Sequence, residues 1–283
     1  MDTSVSNVAI ITDSTSDLPA QILEQYPITV VPLNVTIDGQ TWSDGVMSQE
    51  EFFQRMGTAS VLPSTSQPSV GAFVDAYTEA LKHAAEIVSI HISSDLSGTV
   101  ESARAAAKEF VGRVHVFDSR NLSMGLGFQV IEAARAMADG LSTAAILERV
   151  HGARDRVEML VGLDKLDNLV KGGRVGRVAG LLGGMLNLKV TMTVLDGSFE
   201  PIARTRGAKA ALEHTVDWCA ERMGERRKGA FCVMSAMASD RVQWLEDRLT
   251  ERFEVTEFFS VNTGSVIAAH TGTGWGVAFL PEE

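Results

Sequence analysis

Hydroxyl groups concentrate in four short segments of this chain: Asp13-Ser14-Thr15-Ser16-Asp17, Ser64-Thr65-Ser66-Gln67-Pro68-Ser69, Ser93-Ser94-Asp95-Leu96-Ser97-Gly98-Thr99 and Asn121-Leu122-Ser123. Hydroxyls beside free backbone N–H groups can hold a carboxylate or phosphate without lysine or arginine. Ser97-Gly98 suits that role best, because it stands where a strand loop hands over to a helix. A single such loop reads as a helix cap or turn. Four in order favour a shared pocket, since loops at the carboxyl ends of parallel strands gather around one crevice.

His270 lies in Ala268-Ala269-His270-Thr271-Gly272-Thr273-Gly274, after an apolar run read as a strand at 265–269 and before two glycines. Its imidazole is either a structural hydrogen-bonder or a donor to an anion. Lys171, Arg174 and Arg177 sit among glycines, and Arg204 and Arg206 form a second basic cluster. Each group reads as a solvated loop or as a docking patch for an acidic or phosphate-bearing partner. Between the clusters, 178–188 is apolar nearly all round, which suits core packing or the wall of an apolar tunnel.

The elements that must position these residues follow from periodicity. In the first half, strands at 8–11, 87–92 and 114–117 alternate with helices near 19, 49–56, 71–83, 100–110, 126–138 and 142–152. Residues 28–37 read as one extended run. This alternation predicts parallel βαβ units. In the second half a strand at 157–163 precedes runs at 188–195 and 198–203 that flank Asp196-Gly197, a hairpin signal. A helix over 207–223 follows, then strands near 230–235 and 254–260 with a helix near 240–251 between them. The expected fold is therefore two α/β domains. The N-terminal one (1–153) carries a parallel sheet, and the C-terminal one (154–283) a mixed or antiparallel sheet.

The chain has 283 residues and is 45% hydrophobic, with a formal charge of −11. That acidity opposes nonspecific binding to nucleic acid or anionic lipid. No stretch approaches the ~20 apolar residues of a spanning helix, so no stable membrane insertion is expected. No secretory signal is visible, and Cys219 and Cys232 read as buried thiols, so a cytoplasmic location is expected. The chain has no Walker loop, no dinucleotide fingerprint, no H-E-x-x-H and no G-x-S-x-G. The six histidines lack metal-ligand spacing, so no metal site and no cofactor are expected.

Taken together, ITDSTSDLP (11–19), TSQPSVGAF (65–73), SSDLSGT (93–99), VFDSRNLSMGLG (116–127), KGGRVG (171–176), ARTRGAKAAL (203–212) and AAHTGTG (268–274) resemble the DegV family of bacterial fatty-acid-binding proteins, in the family's order and over nearly the whole chain. The resemblance implies a long-chain fatty acid buried between the two domains. It implies a carboxylate held by Thr65, Ser97 and His270, with Gly98 and Thr271 beside them. It further implies that a separate ATP-dependent fatty acid kinase subunit converts the bound acid to an acyl phosphate for lipid metabolism, with Arg174 and Arg204 facing that partner. Asp95 departs from the family pattern and would bring a negative charge near the carboxylate. On this reading the chain is a non-catalytic carrier. Two alternatives stand beside it. One is a lipid-responsive regulator whose arginines bind another partner. The other is an acyl hydrolase or transferase using Ser97 and His270, with Asp13 or Asp118 as orienter.

Overall fold

The computed structural model describes residues 7–174, 188–237 and 239–282. The tunnel-wall expectation for 178–188 falls outside them except at Leu188, as does Arg177.

The N-terminal sheet is wholly parallel, in the order β2-β1-β6-β7, from β1 (Val8–Asp13), β2 (Ile28–Val31), β6 (Glu86–His91) and β7 (Val114–Asp118). β1 and β6 are buried almost throughout, as strands covered on both faces must be. One face packs on α3 (Val70–Ala80) and α4 (Thr99–Ala107) through Ile11, Phe73, Tyr77, Ile87 and Ala103. The other face packs on α5 (Ser123–Ala138) and α6 (Thr143–Arg156).

The second sheet has six strands in the order β10-β9-β8-β13-β11-β12. They are β8 (Glu158–Leu163), β9 (Leu188–Leu195), β10 (Ser198–Arg206), β11 (Lys228–Ala236), β12 (Glu254–Asn262) and β13 (Gly274–Pro281). Only β11 and β12 pair in parallel. Its outer face carries α8 (Ala208–Met223) and α9 (Ser239–Arg252). Its inner face meets α5 and α6, so these two helices lie sandwiched between the sheets. One apolar core runs from Ile10 and Val88 through Phe128 and Ile131 to Met159, Cys232 and Ala278. This explains why α5 is buried over most of its surface, with its charges confined to the Glu132–Arg135 pair in its C-terminal half. The Asp196-Gly197 turn joins β9 to β10 with φ of 49° and 90°, the twist that a two-residue hairpin requires. The division expected after residue 153 falls inside α6.

Several expectations are corrected. Residues 28–37 are two strands, not one: β2 joins the parallel sheet, while β3 (Asn34–Ile37) belongs to a small antiparallel sheet with β4 (Gln40–Ser43) and β5 (Ser64–Ser66). The Ser64–Ser69 segment is thus not a loop at the end of a parallel strand; its start pairs with β3, and Ser69 caps α3 by accepting the Ala72 N–H. Residues 265–269, read as a strand, lie in α10 (Ser265–Thr271), which ends at Gly272 with a positive φ of 64°. An apolar run this short carries no period to separate strand from buried helix. The remaining α-helices among the described residues are α1 (Ala20–Gln25), α2 (Gln49–Thr58) and α7 (Asp167–Lys171). Val35, Phe52, Ala268 and Ala269 form a local core that fastens the small sheet and α2 to α10.

Candidate functional site

That local core sets the geometry of the site. Val35 pairs with Thr65 across β3 and β5, and packing of the same sheet on α10 brings Thr65 to His270. Thr65 Oγ1 and His270 Nε2 are hydrogen-bonded at 2.7 Å. Both line a cavity of about 350 Å³, within the range that takes small ligands. The cavity also receives Ser97 from the loop after β6 and Thr271 from α10. Its walls are otherwise largely apolar: Leu33, Ile92, Leu96, Leu122, Phe199, Val266 and Ile267. A second, apolar cavity of about 30 Å³ shares Leu122, Ile267 and Thr271 with the first and reaches Met159, Met234 and Trp275.

Burial pushes the His270 imidazole down to about 4, and the nearby Arg174 guanidinium adds to that shift. The ring is therefore neutral near pH 7 and offers a single N–H. Its Nδ1 is buried and has no partner among the described residues. It lies against Gly172, where an added Cβ would sit 2.3 Å from Nδ1. Glycine at 172 is what leaves room for the ring.

Ser97 Oγ is 2.9 Å from Thr99 Oγ1 and accepts the Thr99 N–H at 3.3 Å, at the start of α4. Gly98 caps that helix, and a Cβ there would strike the Gln67 side chain at 2.2 Å. Gln67 in turn donates to Ser102 Oγ at 2.9 Å and lines the cavity. The glycine thus lets the β5 strand and the Ser97 loop close on one another. Thr271 spends its hydroxyl on the Ile267 and Gly272 carbonyls, so it contributes wall rather than a free donor.

Arg174 is half-buried and also lines the cavity. It donates from Nη1 to the Gly172 carbonyl at 2.7 Å and from Nε to the Leu96 carbonyl at 3.3 Å, tying the His270 support to the Ser97 loop. Arg204 and Arg206 are exposed on β10, away from the cavity lining, and Lys171 is exposed as well. Asp95 is exposed and accepts Ser198 Oγ at 2.8 Å; it does not line the cavity. The charge expected beside the anion is thus turned toward the β9–β10 hairpin and solvent.

The two carboxylates considered as orienters for His270 are engaged elsewhere. Asp13 accepts from His91 Nδ1 and from the Ile92 N–H, both at 3.0 Å. His91 continues through Ser89 to Tyr77, a buried chain from the parallel sheet to α3. Asp118 accepts from Ser94 and the Arg120 N–H. Among the described residues no group of three or more His, Cys, Asp or Glu side chains could hold a metal ion, and no helix is long and apolar enough to cross a membrane.

Sequence reasoning missed Gln67, Gly172 and the apolar walls. Gly172 was visible only as part of a glycine run, and nothing local ties it to a histidine 98 positions on.

Two β-sheets with helices between them thus frame an apolar cavity that gathers a cluster of hydroxyls and a neutral imidazole. The chain belongs to the DegV family, whose model, described as an uncharacterised protein family, matches residues 7–282. It is 36% identical over 282 residues to a DegV domain-containing protein of Deinococcus radiodurans, covering 97% of this chain and 99% of that one. It is also similar to a solved DegV family protein from Thermus thermophilus described by its fatty acid binding, with 35% identity, a TM-score of 0.93 and coverage of 98% and 100%. A DegV lipid binding protein from Thermotoga maritima matches at 28% identity and a TM-score of 0.90, over 98% and 99% of the chains.

Proposed function

We propose that the chain binds a long-chain fatty acid, with the carboxylate at Thr65, Ser97 and His270 beside Gly98 and Thr271, and the tail along the apolar walls. The observation that carries this reading is the Thr65–His270 pair opening onto a cavity whose other walls are mostly hydrocarbon. At ~0.8 kcal/mol per buried CH₂, a sixteen-carbon tail supplies roughly 10 kcal/mol, offset in part by the cost of association. The tail therefore sets affinity and the head group sets orientation. Burying an ionised carboxylate requires hydrogen bonds. The Thr65–His270 bond consumes one hydrogen, so that pair supplies one donor and the Ser97 hydroxyl a second, and Arg174, whose guanidinium lowers the His270 pKa, supplies a compensating cation.

The finer reading is a carrier that presents its acid to a separate ATP-dependent kinase for acyl phosphate formation, in the cytoplasm, with Arg174 and Arg204 toward that partner. The exposure of Arg204 suits docking. Arg174 links Leu96 and Gly172, so it joins the partner-facing role to the acid site. A catalytic role for Ser97 is disfavoured: His270 Nε2 bonds Thr65, its Nδ1 faces Gly172, and Asp13 and Asp118 serve other groups. A lipid-responsive regulator remains the second reading, favoured only by the same exposed arginine.

The test is the pair of variants T65A and S97A. Both should fold and retain less co-purifying fatty acid, each lost head-group bond weakening binding about tenfold. Unchanged lipid occupancy in folded variants would overturn the assigned site.

A further inference from the structure

Asp17 lies outside every role assigned so far, yet it touches the elements that wall both cavities. Its Oδ1 accepts the Gly264 N–H at 2.9 Å, at the start of α10. Its Oδ2 accepts the Ser123 hydroxyl, at the start of α5. Ser123 follows the wall residue Leu122, itself lines the smaller cavity, and lies 3.2 Å from Met234 Sδ there. Gly264 opens the helix that carries Val266, Ile267, His270 and Thr271. A Cβ at Gly264 would meet Asp44 at 3.0 Å and Asp17 at 3.3 Å, so glycine is what admits the carboxylates.

Both partners of the Asp17–Ser123 bond are non-glycine residues in the left-handed region, with φ of 47° and 45°. Such conformations are costly and persist where surrounding structure enforces them. Two held together by one hydrogen bond, next to a binding cavity, mark a contact retained for placement rather than for stability.

We propose that Asp17 is a positioning residue of the acid site, its carboxylate fastening the start of α10 to the start of α5 and so holding the His270 and Leu122 walls together. This rests on the fatty-acid reading above. Burial raises Asp17 to about 7, so its charge is lost on mild acidification. The charged groups that face it are Asp44, after β4, and Asp13, at the end of β1, both of which oppose its ionisation. The Cys232 thiol of β11 also feels its charge. His270 titrates near 4, well below this range.

The experiment is the release rate of fluorescently labelled palmitate from the intact chain between pH 6 and 8, with the unfolding midpoint measured in parallel. In the wild type, release should quicken as pH falls through about 7. D17N cannot ionise and keeps only the weaker neutral bonds, so it should release about tenfold faster at pH 8 and show no pH dependence. Because the raised Asp17 costs stability once pH passes from 3.8 to about 7, D17N should unfold no earlier than wild type at pH 8. A merely structural Asp17 would instead lower the midpoint. S123A, which removes the other end of the bond, should also release faster at pH 8, and it decides the matter if D17N fails to fold. Release at the wild-type rate in D17N, a pH response that survives in D17N, or a lowered midpoint overturns the role. A wild-type chain that takes up no palmitate overturns the fatty-acid reading, and this role with it.

Discussion

Gly172→Ala probes the coupling between packing and the acid site with one methyl group. Gly172 has φ −73° and ψ −9°, which alanine adopts without strain. The new Cβ nevertheless sits 2.3 Å from His270 Nδ1 and 2.9 Å from the Asn168 carbonyl oxygen. The carbonyl belongs to backbone and yields little, so the imidazole must retreat by about 1 Å to reach ordinary contact. That breaks the 2.7 Å bond to Thr65. Overpacking costs about 1–3 kcal/mol and the lost hydrogen bond about 1 kcal/mol, giving a destabilisation of about 3 kcal/mol in urea unfolding. Misplacing one donor to the carboxylate should weaken palmitate binding about tenfold by calorimetry. Two other glycines isolate the cause. Gly173→Ala meets open space but has φ 73°, so it should cost about 1 kcal/mol of backbone strain and leave affinity unchanged. Gly152→Ala, within α6 and facing nothing within 4 Å, should stabilise by about 0.5–1 kcal/mol. Wild-type affinity and stability in Gly172→Ala would refute the argument that glycine is needed to seat the histidine.

Other consequences are as direct. His270 is held near 4 against 6.5 in the unfolded chain, so its contribution to stability is present above pH 6.5 and lost as pH falls toward 4. H270Q should therefore gain on wild type by about 2 kcal/mol between pH 7 and pH 5, read from urea midpoints. Arg204→Ala, exposed on β10, should leave palmitate affinity unchanged while weakening delivery of the acid to a kinase partner; parallel loss of both would mean that Arg204 shapes the pocket. Cys219 and Cys232 are buried, and burial pushes both thiols up, so neither should react with a maleimide until the protein is unfolded.

The sequence and the structure agree most where local chemistry decides. β1 opens with an unbroken apolar run over 8–11, the Asp196-Gly197 turn has its own twist signature, and Ser97-Gly98 does lead into a helix. Thr65, Ser97 and His270, spread over 205 positions, do line one cavity. What sequence could not give was set by distant contacts. β5 is three polar residues with no alternation to read, and it is a strand because β3 lies beside it. α10 is a helix because Asp17 and Asp44 satisfy N–H groups at its start, at Gly264 and Val266, and Gly272 ends it. β13 is buried along its whole length at the centre of the second sheet, so no polar face marks it. Asp95 looked close to the acid in sequence, but its side chain turns to Ser198.

The central claim is that this cavity holds a fatty acid without covalent attachment. Mass spectrometry of the purified protein, first native and then denatured, with the released molecule identified, tests it most directly. The account predicts a stoichiometric long-chain acid that is present in the native spectrum and absent after denaturation. An empty protein that also refuses added palmitate, or a mass increment that survives denaturation, would contradict it.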